Sequence, residues 1–290
     1  MMDLCQILGT ELPLIQAPMA GVQGSRLAIA VSNTGALGSL PAAMLSASDL
    51  DQALAGLSEA TDKPINVNFF CHQQPAEDSA AIASWQTHLE PYYREYGIEA
   101  APSAVGRAPF SAELAAVVCR HRPAVVSFHF GLPDEELLEP VRAMGARVIS
   151  SATTVAEAEW LEARGVDAII AQGIEAGGHR GMFLSSDPCG DAPSQIGTLA
   201  LVPQVVAAVQ VPVIAAGGIA DAAGVAAVMS LGASGVQVGT SFLCCPEADT
   251  SQVHRAALAD PETPTMLTNV FSGRPARGIV NRAVRELGPI

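Results

Sequence analysis

The segment EAGGHRG, Glu175 to Gly181, sets one histidine between glycines and an arginine, directly after the apolar run AIIAQG at 168–173. A histidine titrates near neutrality. If His179 faces a site, it can remove a proton from carbon or, once protonated, stabilise an anion. A polar residue in a mobile loop would look the same locally. Other residues with chemical capacity end apolar runs: Met19 in QAPMAG, Asn68 in NVNFF, His129 in SFHFG, Gln172 in AQG, Gly217-Gly218 in AAGGIAD and Gly239-Thr240 in QVGTSF.

These residues fit a flat, polar-edged cofactor carrying one phosphate. Glycines that end two successive apolar runs, each leading into a helix, let backbone amides approach a phosphate closely. Gln172 and Asn68 both donate and accept, which suits the rim of a heteroaromatic ring beside which Met19 can pack. Flavin mononucleotide meets that description. No GxGxxG is present, so no dinucleotide fold is claimed, and no GxSxG elbow supports a hydrolase. His72, His88, His121 and His254 show no paired spacing and the six cysteines no CxxC, so no metal site is expected. For His129, a buried lining histidine and a substrate contact are both open.

The elements that must carry these residues recur along the chain. Apolar runs at 14–19, 36–41, 65–70, 125–130, 147–152, 168–173, 211–218 and 235–242 read as strands buried on both faces of a parallel sheet. Helices between them carry start and stop signals. Thr154-Val-Ala-Glu157 has the capping-box pattern with Gly165 at the stop, and Asp221 can cap a helix ending near Gly232. Eight such strands joined by helices give an α/β fold, a (β/α)8 TIM barrel, with an open doubly wound sheet as the alternative. The candidate residues then fall at the C-terminal ends of strands, where such barrels build their sites. One interval, about 71–124, breaks the rhythm. It reads as a helical insertion between the third and fourth strands, followed by a looser segment, APSAVGRAPF, able to serve as a lid. Residues 1–290 are expected to form a single cofactor-binding domain.

Bulk properties narrow the function classes. Hydrophobic residues make up 49% of the 290 and charged residues 15%, which fills a large core. The net charge of -14 and the lack of a Lys/Arg run argue against nucleic acid and anionic membranes. A phosphate would therefore rest on backbone amides. Neither a signal peptide nor a long uninterrupted apolar run is seen. Reduced cysteines point to a cytoplasmic protein.

Taken in order, QAPMAG, NVNFF, SFHFG, AQGIEAGGHRG, AAGGIAD, QVGTSF and FSGRPARGIVNR (271–282) resemble the nitronate monooxygenases, formerly called 2-nitropropane dioxygenases, of the class I branch. The resemblance runs from about residue 10 to the C-terminus. It implies an FMN-dependent enzyme that oxidises alkyl nitronates with O2 to carbonyl compounds and nitrite, propionate 3-nitronate among them. Carried over by motif, Asn68, Gln172, Gly177, Gly218, Gln237, Val238, Gly239 and Thr240 would hold FMN. His179 would be the catalytic base for neutral nitroalkanes, with His129 and Met19 on the substrate side. Members of this branch usually continue past RPARG with a tail that helps close the site. That tail is expected to be missing here, since the chain stops at Ile290. The rival readings on a similar barrel are a flavin-dependent NADH:quinone reductase and an FMN-dependent enoyl-acyl carrier protein reductase. The acidic surface disfavours docking of an acidic carrier protein. A non-catalytic flavin binder is the rival from another class.

Overall fold

The computed structural model describes residues 3–74, 78–99 and 108–288. Eight parallel strands form the main sheet: β1 (Leu14–Gln16), β2 (Gly38–Pro41), β3 (Ile65–Phe70), β4 (Val125–His129), β5 (Arg147–Ala152), β6 (Ala168–Gln172), β8 (Val213–Ala216) and β9 (Gly235–Val238). β1 pairs with β9 in register Ile15 to Gln237. A single parallel bridge from Ile15 to Leu37 joins β1 to the start of β2, and the ring closes as a (β/α)8 barrel. The three further strands, β7 (Gly178–His179), β10 (Thr265–Thr268) and β11 (Ala276–Ile279), make a small antiparallel sheet at the mouth.

Period-two alternation sorts the strand residues into two sets. Leu40, Val67, Phe69, Val126, Phe128, Val148, Ile169, Ala215 and Val236 face the surrounding helices in one buried cluster. Ile15, Leu37, Val125, Ile149, Ala168, Ile170 and Ile214 fill the barrel interior. Helix α1 (Leu4–Leu8) closes this interior from below with Leu4, Ile7 and Leu8. Two residues further along β2, β4, β5 and β6 the interior positions become polar, at Ser39, Ser127, Ser151 and Gln172, and β3 and β9 add Asn68 and Gln237, while β8 keeps Ala216. The barrel is therefore apolar at its N-terminal end and hydrogen-bonding at its C-terminal end, the end that faces a ligand in such folds.

Local signals account for the helix starts. In α10 (Ala222–Ser230) the Asp221 carboxylate accepts the Gly224 amide at 2.8 Å, and Gly232 follows with φ +97°. In α7 (Val155–Glu162) only half of the capping box forms. The Thr154 hydroxyl accepts the Glu157 amide, but the buried Glu157 carboxylate reaches past the cap. It accepts the Thr153 amide and hydroxyl at 2.7 and 2.8 Å and the Phe183 amide at 2.7 Å. That second contact ties the segment after His179 to the rim of β5.

The 71–124 interval divides in two. Helix α5 (Ala112–His121) buries Leu114, Ala115, Val117 and Val118 against the barrel layer, like its neighbours. Helix α4 (Ser79–Glu95) buries no residue. It is tied to the C-terminal helix α12 (Arg282–Leu287) by polar groups: Tyr92 donates to Glu286 at 2.7 Å, and Arg282 donates to both Glu95 oxygens at 2.6 and 2.9 Å. Of the segment read as a lid, residues 101–107 lie outside the described residues. Among those described, no helix is long and apolar enough to cross a membrane.

Candidate active site

His179 is half-buried and sits on β7, not in a free loop. β7 pairs antiparallel with β11, His179 opposite Ala276 and Gly178 opposite Arg277. Its carbonyl accepts from two side chains, Gln172 Nε2 at 2.9 Å and His129 Nε2 at 3.2 Å. The Gln172 amide closes the clasp by accepting the Gly181 amide at 2.8 Å. The His179 ring meets the Ser272 hydroxyl through Nε2 at 2.7 Å and packs edge-on to Phe70 and Phe130, with centroids 6.1 and 5.9 Å away. Backbone and ring are thus fixed by different partners.

His129 is drawn into this clasp. A carbonyl only accepts, so the proton of His129 is assigned to Nε2, and Nδ1 accepts from the Ser151 hydroxyl. Burial, and next the nearby charge of His179, push its imidazole down from 6.5 to about 3, against the bond to the His179 carbonyl. Arg180 and Arg274 act in the same direction. The ring is neutral at pH 7, as an Nδ1 that accepts the Ser151 hydroxyl requires. The unfolded chain binds this proton below pH 6.5 and the folded chain does not until about pH 3. Folding stability is therefore lost as pH falls through that window. Between pH 7 and pH 5, wild type should lose about 2 kcal/mol more than His129→Gln. Urea denaturation at both pH values measures this, and parallel losses would mean that His129 is not held neutral.

Arg180, to which the sequence reading assigned no role, organises the loop from beneath. It is 1% exposed. Its guanidinium donates to the carbonyls of Gly173 at 2.6 Å and Gln172 at 2.7 Å, and to Gln195 Oε1 at 2.8 Å. Its own amide donates to the Pro275 carbonyl at 2.8 Å. Burial lowers its pKa to about 10, opposed by Glu157 and Glu175, and it stays charged. Arginine is seldom buried, so residue type gave no signal of this role.

The glycines beside the loop explain its course. A Cβ on Gly217 would lie 2.9 Å from the Ala176 amide, and one on Gly218 would lie 3.3 Å from Glu175 Cβ. Their φ values, +115° and +70°, lie in the left-handed region. A Cβ on Gly177 would lie 3.4 Å from the Thr240 hydroxyl. The 173–179 loop therefore crosses the ends of β8 and β9, meeting Gly218 at Glu175 and Thr240 at Gly177. Gly239 lies beside Ala17 and Met19. Met19 itself packs toward Leu27, Val31 and Ala248 on the β1 side.

Groups able to hold a cofactor are present at this mouth. Gln237 Oε1 is buried and accepts no hydrogen bond among the described residues. A short 3-10 helix over Thr240–Cys244 starts at Gly239 without a side-chain cap. Asn68, buried on β3, donates to Ser127 Oγ at 2.9 Å. The Val238 side chain turns outward into the helix-facing core, so only its backbone can face the mouth. A cleft of about 390 Å³ opens beside His179's partner Ser272, lined also by Trp85, Asn269, Val270, Phe271 and Gly273. Among the described residues, no three His, Cys, Asp or Glu side chains are grouped to hold a metal ion.

The chain is similar to known proteins over nearly its whole length. A family model described as nitronate monooxygenase matches residues 2–289. A nitronate monooxygenase of Pseudomonas aeruginosa is 46% identical over 283 residues, 96% of this chain and 79% of the relative. The nitroalkane oxidase of Streptomyces ansochromogenes superposes with a TM-score of 0.91 at 41% identity, over 99% of this chain and 81% of that one. FabK from Thermotoga maritima superposes with a TM-score of 0.75 at 28% identity, over 99% of this chain and 77% of its own.

Proposed function

The chain belongs to the nitronate monooxygenase family, and on that premise we propose that it binds FMN and uses O2 to oxidise alkyl nitronates, propionate 3-nitronate among them. The products are a carbonyl compound and nitrite. The observation that carries this reading is His179, fixed by backbone and ring at the barrel mouth, beside the glycines that end β8 and β9.

When bound, FMN would supply the electron acceptor for nitronate oxidation, with O2 as the terminal oxidant. The amides near Gly218 and from Gly239 to Thr240 are suited to its phosphate, with Gly177 leaving room beside Thr240. Gln237 Oε1, which lacks a donor, could accept a hydrogen bond from the flavin, and Asn68 would stand near it. Gln172 spends its amide on the loop clasp, so it acts at the ring mainly by placing the backbone around Gly181. The His179 imidazole takes the α-proton of a neutral nitroalkane through the ring nitrogen that does not face Ser272, the C–H bond breaking to give the nitronate. The Ser272 hydroxyl aims the imidazole, and Phe70 and Phe130 keep water from its faces. His129 serves the substrate through the His179 backbone.

The absorption spectrum of the purified protein tests the flavin. O2 uptake with propionate 3-nitronate and with NADH, run in parallel, tests the reaction. Anaerobic bleaching of the flavin by NADH and not by nitronate would turn the assignment to a reductase. Gly218→Val is expected to yield protein with little or no bound flavin. A β-branched residue at φ +70° costs more than the roughly 1–2 kcal/mol of an ordinary left-handed residue, and its methyls fill the approach to the amides. Flavin content per protein measures this, and a fully yellow variant would count against the cradle.

A further inference from the structure

Every buried or half-buried arginine among the described residues other than Arg274 has an acceptor. Arg142 and Arg147 meet carboxylates, as does Arg282, while Arg180, Arg255 and Arg277 donate to carbonyls. Arg274 is different. It lies half-buried between Ser272, the partner of His179, and Pro275, whose carbonyl takes the Arg180 amide. Its guanidinium carbon sits 4.8 Å over the centroid of the Phe130 ring. Among the described residues, that guanidinium meets neither a carboxylate nor a carbonyl acceptor. Burial depresses its pKa, with the Cys189 thiol as the ionisable group opposing this. In a chain with 29 acidic and 15 basic residues, a carboxylate partner would have been easy to place.

Phe130 acts as the shelf. It holds a left-handed backbone at φ +69°, a conformation that costs a phenylalanine energy and persists where the surroundings impose it. Its ring is 5% exposed and packs against Phe70 at 5.1 Å and His129 at 4.5 Å. The ring face steadies the cation while leaving the five N–H donors of the guanidinium for a ligand. Arg274 and His179 lie against the same ring, so the cation stands one aromatic ring away from the proposed base.

We propose that Arg274 is the specificity-determining residue of this site, binding a carboxylate that the substrate carries two or three bonds from its reacting carbon. The assignment rests on the nitronate reading above. An arginine fork pairs with a carboxylate through two parallel charge-assisted bonds, which a lysine reproduces as a point charge only. A plain alkyl nitronate of the same length makes no such pair. The contact therefore sets discrimination between substrates and leaves the chemistry at the reacting carbon unchanged.

The test uses the flavin-loaded wild type, Arg274→Gln and Arg274→Lys. Their kcat/KM is measured for propionate 3-nitronate and for propyl-1-nitronate, and succinate, an unreactive dianion of matching length, is titrated calorimetrically. In Arg274→Gln the ratio of the two kcat/KM values should fall about 10- to 100-fold through KM, with kcat nearly constant. Succinate should weaken by a similar factor, and Arg274→Lys should recover part of both. An unchanged ratio in Arg274→Gln, or equal losses on both nitronates, overturns the assignment. If wild type oxidises neither nitronate, the function proposed above fails, and succinate decides alone. Weaker binding to Arg274→Gln then supports the anion site, and equal binding overturns it.

Discussion

His179→Asn is expected to keep FMN and fold normally, yet to lose about 10²- to 10⁴-fold in turnover of neutral nitroalkanes. Preformed nitronates should suffer far less. The reason is the separation of roles at this residue. The His179 carbonyl is held by Gln172 and His129, and β7 by β11, none of which involves the imidazole. Asparagine ends near the Nδ1 position and falls short of the Ser272 hydroxyl, so the 2.7 Å bond is lost while the backbone anchors remain. Nor can asparagine accept a proton near neutral pH. Only the neutral substrate needs its C–H bond broken, so only that substrate should register the change in full. Steady-state rates with nitroalkane and nitronate forms of one compound give the comparison. Equal losses on the two would remove the general-base role and leave an electrostatic one.

Arg180→Met should lower folding stability by about 3–5 kcal/mol, the largest loss expected from any single side chain near the mouth. Methionine fills much of the volume, so packing is not the issue. The substitution strips donors from the Gly173 and Gln172 carbonyls and from Gln195 Oε1, all in a buried setting. Each orphaned acceptor costs about 1–3 kcal/mol, and the three are close enough to relax together. Arg180→Lys should recover little, because an ammonium cannot span acceptors that a planar fork bridges. Denaturant unfolding monitored by circular dichroism measures the effect. A loss under about 1 kcal/mol would mean that water satisfies these carbonyls once the guanidinium is gone.

The barrel was legible because its strands are buried on both faces. Ile65–Phe70 and Arg147–Ala152 occupy the residues that their apolar runs mark, and the other runs overshoot by a few residues at the loops. The ends of those runs also marked where Asn68, His129, Gln172, Gly218 and Gly239 would gather. Three things did not show. β7 is only two residues long, and its pairing with β11 spans nearly a hundred residues, so no local periodicity reveals it. Arg180 stands beside His179 in sequence but is buried by long-range carbonyl contacts, which residue type hides. The Glu157 side chain looked like a capping partner, yet tertiary contacts to Thr153 and Phe183 took it over.

The pairing of β7 with β11 has a consequence for how the protein is made. All eight barrel strands have been synthesised once Val238 leaves the ribosome, and domains begin to fold as they emerge. His179 then belongs to a complete ring but has no Ala276 or Arg277 to pair with and no Ser272 to meet. At about 5–20 residues per second, the missing segment follows only seconds later. During that interval the nascent chain carries a barrel whose reactive histidine is not yet placed, so shape is acquired before competence.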